Sequence, residues 1–272
     1  MTDNAAAFIG NIPENYDIGL GPVIFIDYAV EIAKRAAALR PSRILETAAG
    51  TGIVTRELRN RMPPEALLTA TDLNSPMLAI ARAKFKAEER VEFKTADALA
   101  LPFTNGEFDV VVCQFGVMFF PDKDQSYREV MRVLAPGGTY MFSVWDAHRY
   151  NPFARIAHEM LGRFFPADPP QFMRVPFSYA FEPIKESLIA AGFRDIDASV
   201  AQIEKTIASA EAFARGQVYG SPIIDQIRTR GGVVPEDFVE ALKLDLIREF
   251  GADPGRMPLQ AMFFSAKKPY ST

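Results

Sequence analysis

The segment RILETAAGTG, residues 43–52, decides the fold class. Its first half is a short apolar run, typical of a buried strand, and its second half is a turn that contains Gly50 and Gly52. A helical pattern that includes Val54 and Leu58 follows directly. A buried strand, a glycine turn and a helix in this order predict the first unit of an α/β domain.

The alternation of strands and helices continues downstream. Further short apolar runs predict strands at 67–71, 91–94, 108–113 and 139–145. Helical patterns lie at 75–86 and 127–134, and Ala135-Pro136-Gly137-Gly138 is expected to end the second of these and turn the chain into the next strand. This alternation of strands and helices indicates an α/β fold with a mainly parallel sheet.

Both ends of the chain extend beyond this core. Within residues 1–40, apolar side chains at helical spacing predict one amphipathic helix, with Phe25, Tyr28, Ala29, Ile32, Ala33 and Ala36 on one face. After Trp145 a proline-rich stretch at 146–180 and a mostly helical stretch at 208–255 interrupt the pattern, and strands are expected near 196–203 and 259–267. We expect one domain over 1–272, with a ligand-binding core at about 43–145 and both stretches as helical lid insertions.

The composition excludes several classes of protein. A chain of 272 residues with 49% hydrophobic and 24% charged residues has the composition of a globular protein. The net charge of −4 argues against a dedicated nucleic-acid-binding protein. One cysteine, Cys113, cannot form an intramolecular disulfide, and with two histidines in the chain we expect no metal site.

The sequence also predicts a cytoplasmic location. Residues 1–4, MTDN, lack the basic and apolar character of a signal peptide. No uninterrupted apolar stretch approaches the ~18–20 residues that span a bilayer. We therefore expect no membrane span. The sequence leaves the oligomeric state open.

Polar residues stand where four successive predicted strands end. Glu46, Asp72, Asp97 and Gln114 each end or follow a strand, and ligands of open parallel sheets bind beyond those carboxyl ends. Asp72 lies 20 residues after Gly52, the spacing of a carboxylate that accepts from two ribose hydroxyls. The pattern predicts a nucleoside-containing ligand. These features fit an NAD-binding dehydrogenase equally well, although Thr55 stands where that fingerprint has its third glycine or alanine.

Five sequence blocks carry a family resemblance. They are ETAAGTG at 46–52, TDLN at 71–74, ADALALPF at 96–103, FDVVV at 108–112 and RVLAPGG at 132–138. In this order the blocks resemble the class I S-adenosylmethionine-dependent methyltransferases. They are most similar to the small-molecule branch (methyltransferase type 11) related to the ubiquinone and menaquinone biosynthesis methyltransferases. The resemblance covers 43–145 and implies a Rossmann-like sheet of seven strands, mainly parallel with the last strand antiparallel, and helices on both faces.

The resemblance implies a role for each matched position toward S-adenosylmethionine, whose product is S-adenosylhomocysteine. The loop residues and Glu46 would flank the methionine part, and Asp72 would bind the ribose. Leu73 and Met77 would pack against the adenine, Asp97 would accept from its amino group, and the Ala98 N–H would reach a ring nitrogen. Gln114 would lie near the reacting methyl group, and Tyr16 would close over the cofactor carboxylate. The implied cofactor-binding residues are Tyr16, Glu46, Ala48, Gly50, Gly52, Asp72, Leu73, Met77, Asp97, Ala98 and Gln114.

Each of these positions also has a purely structural interpretation. The two glycines would serve a tight turn, Asp72 a helix cap, and Asp97 an ordinary turn. Gln114 would tie down the backbone at a strand end, and Tyr16 would only pack. The sequence leaves both interpretations open.

Methyl transfer from a sulfonium is an in-line displacement with a good leaving group. The resemblance therefore implies that the protein aligns the acceptor with the methyl group and excludes water, and that no metal ion is required. Where the acceptor carries a proton, Asp146 and His148 are the candidate general bases. The acceptor is expected to be a small apolar or aromatic molecule. A nucleic-acid or protein-glutamine acceptor is disfavoured, because Cys113-Gln114-Phe115-Gly116 lacks the motif of families that methylate such amino groups. An NAD(P)-dependent oxidoreductase and a cofactor-binding regulatory protein without turnover are the alternatives.

Overall fold

The computed structural model describes residues 6–270, so residues 1–4, on which the expectation about a leader rests, lie outside the described part. Seven strands form one sheet. They are β1 (Arg43–Glu46), β2 (Leu67–Asp72), β3 (Val91–Thr95), β4 (Phe108–Gln114), β5 (Leu134–Trp145), β6 (Arg194–Ile207) and β7 (Gly255–Lys267).

Helices connect these strands and also precede the first of them. The α-helices are α1 (Ile12–Asn15), α2 (Ile26–Ala38), α3 (Ile53–Arg61), α4 (Ser75–Ala83), α5 (Lys123–Val133), α6 (Pro152–Phe164), α7 (Phe181–Ala190), α8 (Ala210–Tyr219), α9 (Ile223–Arg230) and α10 (Pro235–Phe250). A π-helical segment covers Tyr16–Phe25, and short 3₁₀ turns lie at Ala87–Glu89, Val117–Phe119, His148–Tyr150 and Phe172–Phe177. None of the helices formed by residues 6–270 is both long and apolar enough to cross a lipid bilayer.

The strand order confirms the predicted fold class. The order is β3-β2-β1-β4-β5-β7-β6, and the sheet is mostly parallel with one antiparallel strand. β1 pairs in parallel with β2 on one side and with β4 on the other. The chain therefore reverses its direction of winding at β1, and the crevice beyond the β1 and β4 ends is where such sheets bind ligands.

Strands β1 and β4 read as continuous apolar runs because the centre of the sheet is buried on both faces. Ile44, Leu45 and the segment 110–113 are at most 1% exposed. The predicted N-terminal helix is confirmed as α2, except that Phe25 lies outside it, at the end of the π-helical segment. It buries Tyr28, Ala29, Ile32, Ala33 and Ala36 and packs against α3 and β4.

The turn expected at 135–138 belongs instead to β5. Phe108 of β4 pairs with Leu134, and Val110 pairs with Thr139, so β5 carries extra residues between the two pairs. Such an irregularity keeps the segment in the strand while letting the backbone bend. Proline and glycine there mark an irregular strand entry rather than a free turn.

The described chain divides into two compact units. The sheet unit comprises 26–144, 179–201 and 262–270, and the helical unit comprises 6–25, 145–178 and 202–261. The single domain expected over 1–272, with its insertions, stays a prediction.

The helical unit contains a close approach between two backbone segments. A Cβ atom built on Gly216 of α8 would lie 2.8–2.9 Å from backbone atoms of Gly19 in the π-helical segment. Backbone atoms cannot move aside as a flexible side chain can, so only glycine at this position allows α8 to pack this closely.

We therefore expect Gly216→Ala to lower the free energy of unfolding by roughly 1–3 kcal/mol, because the added methyl group overpacks the contact. Gly162→Ala in α6 is the matched control, since its Cβ would meet nothing within 4 Å. That control is expected to gain up to about 1 kcal/mol from helix propensity. Urea unfolding of both variants measures the difference, and equal effects would contradict the proposed close packing.

Candidate functional site

The loops that follow β1 and β2 are joined by hydrogen bonds. The Ala49 N–H donates to the Thr71 carbonyl at 2.9 Å, and the Gly50 N–H donates to Asp72 Oδ2 at 2.9 Å. On the other side of β1, the Thr47 N–H donates to the Val112 carbonyl at 2.9 Å. The ends of three neighbouring strands are thereby held in one cluster.

Backbone geometry at this edge is unusual. Besides Gly50 (φ +57°) and Gly52 (φ +80°), the non-glycine residues Ala48 (φ +52°) and Phe115 (φ +55°) adopt left-handed conformations. Left-handed conformations at non-glycine residues are uncommon and cluster at functional sites. A Cβ on Gly116 would lie 2.4 Å from that of Ala48, so the loops after β1 and β4 touch.

The two glycines of the predicted motif serve different purposes. A Cβ on Gly52 would lie 2.8 Å from the Cβ of Ala81, so this glycine permits the loop before α3 to approach α4 closely. A Cβ on Gly50 would meet only the Met77 side chain, at 3.5 Å. Gly50 is therefore required by its backbone conformation, and Gly52 by both its conformation and its neighbour.

Asp72 is buried and held by backbone N–H groups. Its Oδ2 accepts from Gly50, and its Oδ1 accepts from the Asn74 N–H at 2.8 Å. Burial raises the pKa of Asp72, and these hydrogen bonds oppose the shift. Each carboxylate oxygen can accept two hydrogen bonds, so Oδ2 retains capacity for a further donor.

The residues expected around an adenine ring lie beyond β2 and β3. Leu73 has a 58% exposed side chain, whereas Met77 is buried beside Gly50. The Ala96 N–H donates to the Asp72 carbonyl, and Asp97 Oδ1 accepts from the Leu99 N–H at 2.9 Å. Within residues 6–270 the N–H of Ala98 makes no hydrogen bond, so this donor is available.

Glu46 is buried without a cation. Its side chain is 1% exposed, and its Oε2 accepts from the Thr55 hydroxyl at 2.6 Å. Burial raises the pKa of Glu46 to about 8, the Thr55 hydrogen bond lowers it, and the charge of Asp72 raises it further. No lysine or arginine of residues 6–270 pairs with either carboxyl group. Two buried carboxyl groups without a counter-ion favour a cationic, hydroxyl-rich ligand.

Sequence reasoning did not identify Thr55 or Asn74, although both stand beside predicted residues. Thr55 lies in the first turn of α3, and Asn74 is the second residue after Asp72. Gln114 ends β4 and is half-buried. These placements are compatible with the predicted roles, which stay predictions.

Three predicted residues belong to the helical unit. The Tyr16 ring stacks on Phe25 with centroids 4.9 Å apart. Asp146 accepts from the Ala147 N–H and from Gln260 Nε2, both at 2.7 Å, so both of its oxygens are engaged.

His148 is the third, and its Nε2 lies 2.8 Å from the Met173 carbonyl. Because a carbonyl can only accept, Nε2 carries the proton and Nδ1 has the lone pair. Burial lowers the pKa of His148, which favours the neutral imidazole. His148 also lines a cavity of about 510 Å³ within this unit, together with His158 and Arg174. Residues 6–270 contain no cluster of three or more side chains suited to a metal ion.

The fold is Rossmann-like, and the loops beyond β1 and β4 lie where open parallel sheets bind ligands. Residues 44–138 match the family model of the methyltransferase domain. The chain is 47% identical over 111 residues to demethylmenaquinone methyltransferase of Thermus thermophilus, covering 40% of this chain and 49% of that protein. It is 31% identical over 173 residues to the ubiquinone/menaquinone biosynthesis C-methyltransferase of Laribacter hongkongensis, covering 59% of this chain and 71% of that protein.

Solved structures agree in fold. Phosphoethanolamine N-methyltransferase 2 of Haemonchus contortus, in complex with S-adenosyl-L-methionine, superposes with a TM-score of 0.62 at 19% identity, covering 99% of this chain and 60% of that one. The [4+2]-cyclase SpnF superposes with a TM-score of 0.56 at 20% identity, covering 92% and 85%. At these identities the likeness shows the fold alone.

The chain belongs to the class I S-adenosylmethionine-dependent methyltransferases, in the branch of the ubiquinone and menaquinone biosynthesis methyltransferases. The cofactor of this family is S-adenosylmethionine, and S-adenosylhomocysteine is its product. The site fits this cofactor, because its ammonium and ribose hydroxyls are the donors that two buried, cation-free carboxyl groups lack.

The pH dependence of the stability of a Glu46→Gln variant tests whether Glu46 is protonated in the folded protein. Between pH 4.5 and about 8 the folded protein keeps a proton on Glu46 that the unfolded chain releases, so this group makes stability fall as pH rises. The free energy of unfolding falls by up to roughly 1.4 kcal/mol per pH unit through this group. In the absence of cofactor, Glu46→Gln is therefore expected to gain stability over the wild type increasingly toward pH 8, in urea unfolding.

Glu129→Gln is the control for this measurement. A hydrogen bond from Arg132 lowers the pKa of Glu129, so its contribution is constant above about pH 5 and is lost only on acidification. Its difference from the wild type should not change between pH 5 and 8. A Glu46→Gln difference that is equally flat would contradict a protonated Glu46.

Proposed function

We propose that this chain transfers the methyl group of S-adenosylmethionine to a small aromatic acceptor of the quinol class. The observation that carries the proposal is the pair of buried carboxyl groups, Glu46 and Asp72, at the carboxyl ends of adjacent strands, with which no cation of the described residues 6–270 pairs. Named relatives act on demethylmenaquinone, which supports an oxygen-bearing aromatic acceptor. The match covers only about half of the Thermus protein, so the cofactor in this proposal rests on the site, whereas the acceptor class rests on the likeness.

In the proposed binding mode each part of the cofactor meets a group suited to it. Glu46 would balance the ammonium, and Asp72 would accept from the ribose hydroxyls. Leu73 and Met77 would cover the two faces of the adenine. The free N–H of Ala98 would donate to a ring nitrogen, and Asp97 would accept from the exocyclic amino group.

When bound, the cofactor supplies an electrophilic methyl group whose bond to sulfur breaks, with its electron pair left on sulfur, as the acceptor forms the new bond. The chain positions the two reactants in line and keeps water away from the sulfonium. Loss of the acceptor proton calls for a base. Both predicted candidates retain a lone pair that can accept this proton: Nδ1 of His148 has one, and within residues 6–270 each oxygen of Asp146 accepts only a single hydrogen bond.

We further propose that the acceptor is recognised by residues of the segments 146–180 and 208–255. The helical unit contains an aromatic cluster suited to a flat apolar molecule. Trp145 lies 6.0 Å from Phe153 and 5.9 Å from Phe177, and 6.2 Å from Phe25. The oxidoreductase alternative is not favoured by the family match.

Removing the Asp72 charge tests the ribose assignment. Asp72→Asn is expected to weaken S-adenosylhomocysteine binding by roughly 10- to 100-fold in calorimetric titration, because charge-assisted hydrogen bonds to the ribose are lost. Asp109→Asn is the matched control, since Asp109 Oδ2 also accepts from two backbone N–H groups, of Ser42 and Arg43, each at 2.8 Å. No binding by the wild type, or equal loss in both variants, would contradict the assignment.

Proton release tests the role of Glu46 separately. If the cofactor ammonium meets Glu46, binding converts a protonated carboxyl group to a carboxylate, and at pH 7 about one proton is released per S-adenosylhomocysteine. Calorimetry in buffers of different ionisation enthalpy measures this number. 5′-Methylthioadenosine, which lacks the amino-acid part, and the Glu46→Gln variant should both release none. Equal release with both ligands would place the ammonium elsewhere.

A further inference from the structure

Gln217 is a buried amide for which residues 6–270 provide no hydrogen-bond partner. The residue lies in α8, its side chain is 3% exposed, and within residues 6–270 neither its Oε1 nor its Nε2 makes a hydrogen bond. An amide group transferred from water without compensating hydrogen bonds is strongly destabilising, so buried amides in folded proteins are almost always satisfied. Gln217 therefore calls for a polar partner that is not part of the described protein.

Other buried glutamines of the same unit do not share this feature. Gln226 Oε1 accepts from the Phe172 N–H at 3.4 Å, and Gln260 Nε2 donates to Asp146. These two residues are 6% and 9% exposed. Gln226 and Gln260 thus each make a side-chain hydrogen bond, whereas within residues 6–270 both polar atoms of the Gln217 amide, like Nδ1 of His158, are buried without one.

The position of Gln217 on α8 places it on a face that is closely packed. Phe213 lies one helical turn before it on the same face, and Gly216 and Gly220 lie beside it. A Cβ on Gly220 would lie 2.8 Å from the Tyr16 backbone nitrogen, and Gly216 approaches Gly19 as described above. This face of α8 therefore lies against the π-helical segment, and π-helical geometry occurs often at functional sites.

The same face belongs to the aromatic cluster. The Phe213 ring lies 5.8 Å from Phe153, which in turn lies 6.0 Å from Trp145. An amide next to aromatic side chains can orient a flat ring by donating to, or accepting from, one oxygen substituent. A hydrocarbon of the same shape would leave the amide unsatisfied.

We propose that Gln217 is a specificity-determining residue that binds the oxygen substituent of an aromatic acceptor. The proposal rests on the proposed methyltransferase function for the identity of its ligand as the acceptor. It goes beyond that function by assigning a residue and a polar contact. Gln217 acts here by hydrogen bonding alone, and no covalent step involves it.

The test compares two probes of equal shape, 1-naphthol and 1-methylnaphthalene, by equilibrium dialysis with saturating S-adenosylhomocysteine. Gln217→Met keeps the side-chain volume and removes the amide. It is expected to shift the ratio of the two dissociation constants toward the hydrocarbon by roughly 10- to 100-fold. Gln226→Met is the matched control and should leave the ratio unchanged.

The stability of the same variants provides a second, independent test of the Gln217 proposal. Gln217→Met is expected to leave the urea midpoint unchanged or raise it, since two unsatisfied polar groups are removed, whereas Gln226→Met loses a hydrogen bond and should lower it. Gln217→Leu provides the same comparison if the methionine variant does not fold. A variant that gains stability while it loses discrimination supports a ligand-binding amide.

A ratio that changes less than about twofold, or a wild type that does not bind 1-naphthol, would overturn the proposal. The first outcome would assign Gln217 to a buried water. Titration of the same proteins with S-adenosylhomocysteine distinguishes a failure of the Gln217 proposal from a failure of the proposed methyltransferase function. Loss of cofactor binding by the wild type would contradict the proposed function, whereas an altered probe ratio concerns Gln217 alone.

Discussion

The buried carboxyl group of Glu46 is the constraint on which the site depends. It stands at the end of the central strand β1, almost inaccessible to solvent, with one hydroxyl as its hydrogen-bond partner and a second buried carboxyl group, Asp72, nearby. A free protein resolves such an arrangement by retaining a proton. A ligand that brings a fixed positive charge resolves it by pairing. Burial of these two carboxyl groups is therefore unfavourable in the cofactor-free protein, and pairing with a cationic cofactor reduces that cost.

The sheet topology makes this arrangement possible. Because β1 lies between β2 and β4 and all three are parallel, their carboxyl ends meet at one edge. The loops beyond them are joined by the hydrogen bond from Gly50 to Asp72 and by the contact of Gly116 with Ala48. Left-handed conformations at Ala48 and Phe115 are maintained there by these neighbours. The rigidity of the edge comes from backbone contacts, which leaves its carboxyl groups available for a ligand.

Much of this site could be predicted from local sequence. Glu46, Gly50, Gly52 and Asp72 follow strands recognisable by their apolar runs, and their spacing is itself a signature of nucleoside binding. Thr55 could not be identified, because a threonine in a helix has no distinctive signal until its hydroxyl is seen 2.6 Å from Glu46. The segment 135–138 was predicted as a turn because proline and glycine usually mark one, and pairing with β4 overrides that preference.

The sequence by itself determined the fold class and the family and predicted the positions of the cofactor-binding motif, because periodicity and short-range spacing are properties of the chain alone. The tertiary structure decided which polar groups remain unsatisfied. Asp146 accepts a hydrogen bond from Gln260, which lies 114 residues away in the chain, and no local pattern reveals this partner. Gln217 and Gln226 are both glutamines on amphipathic helices, and only the packed structure distinguishes the amide that has a partner from the one that does not. Hydrogen-bond satisfaction is decided by contacts between distant segments, and for that reason it cannot be deduced from sequence spacing.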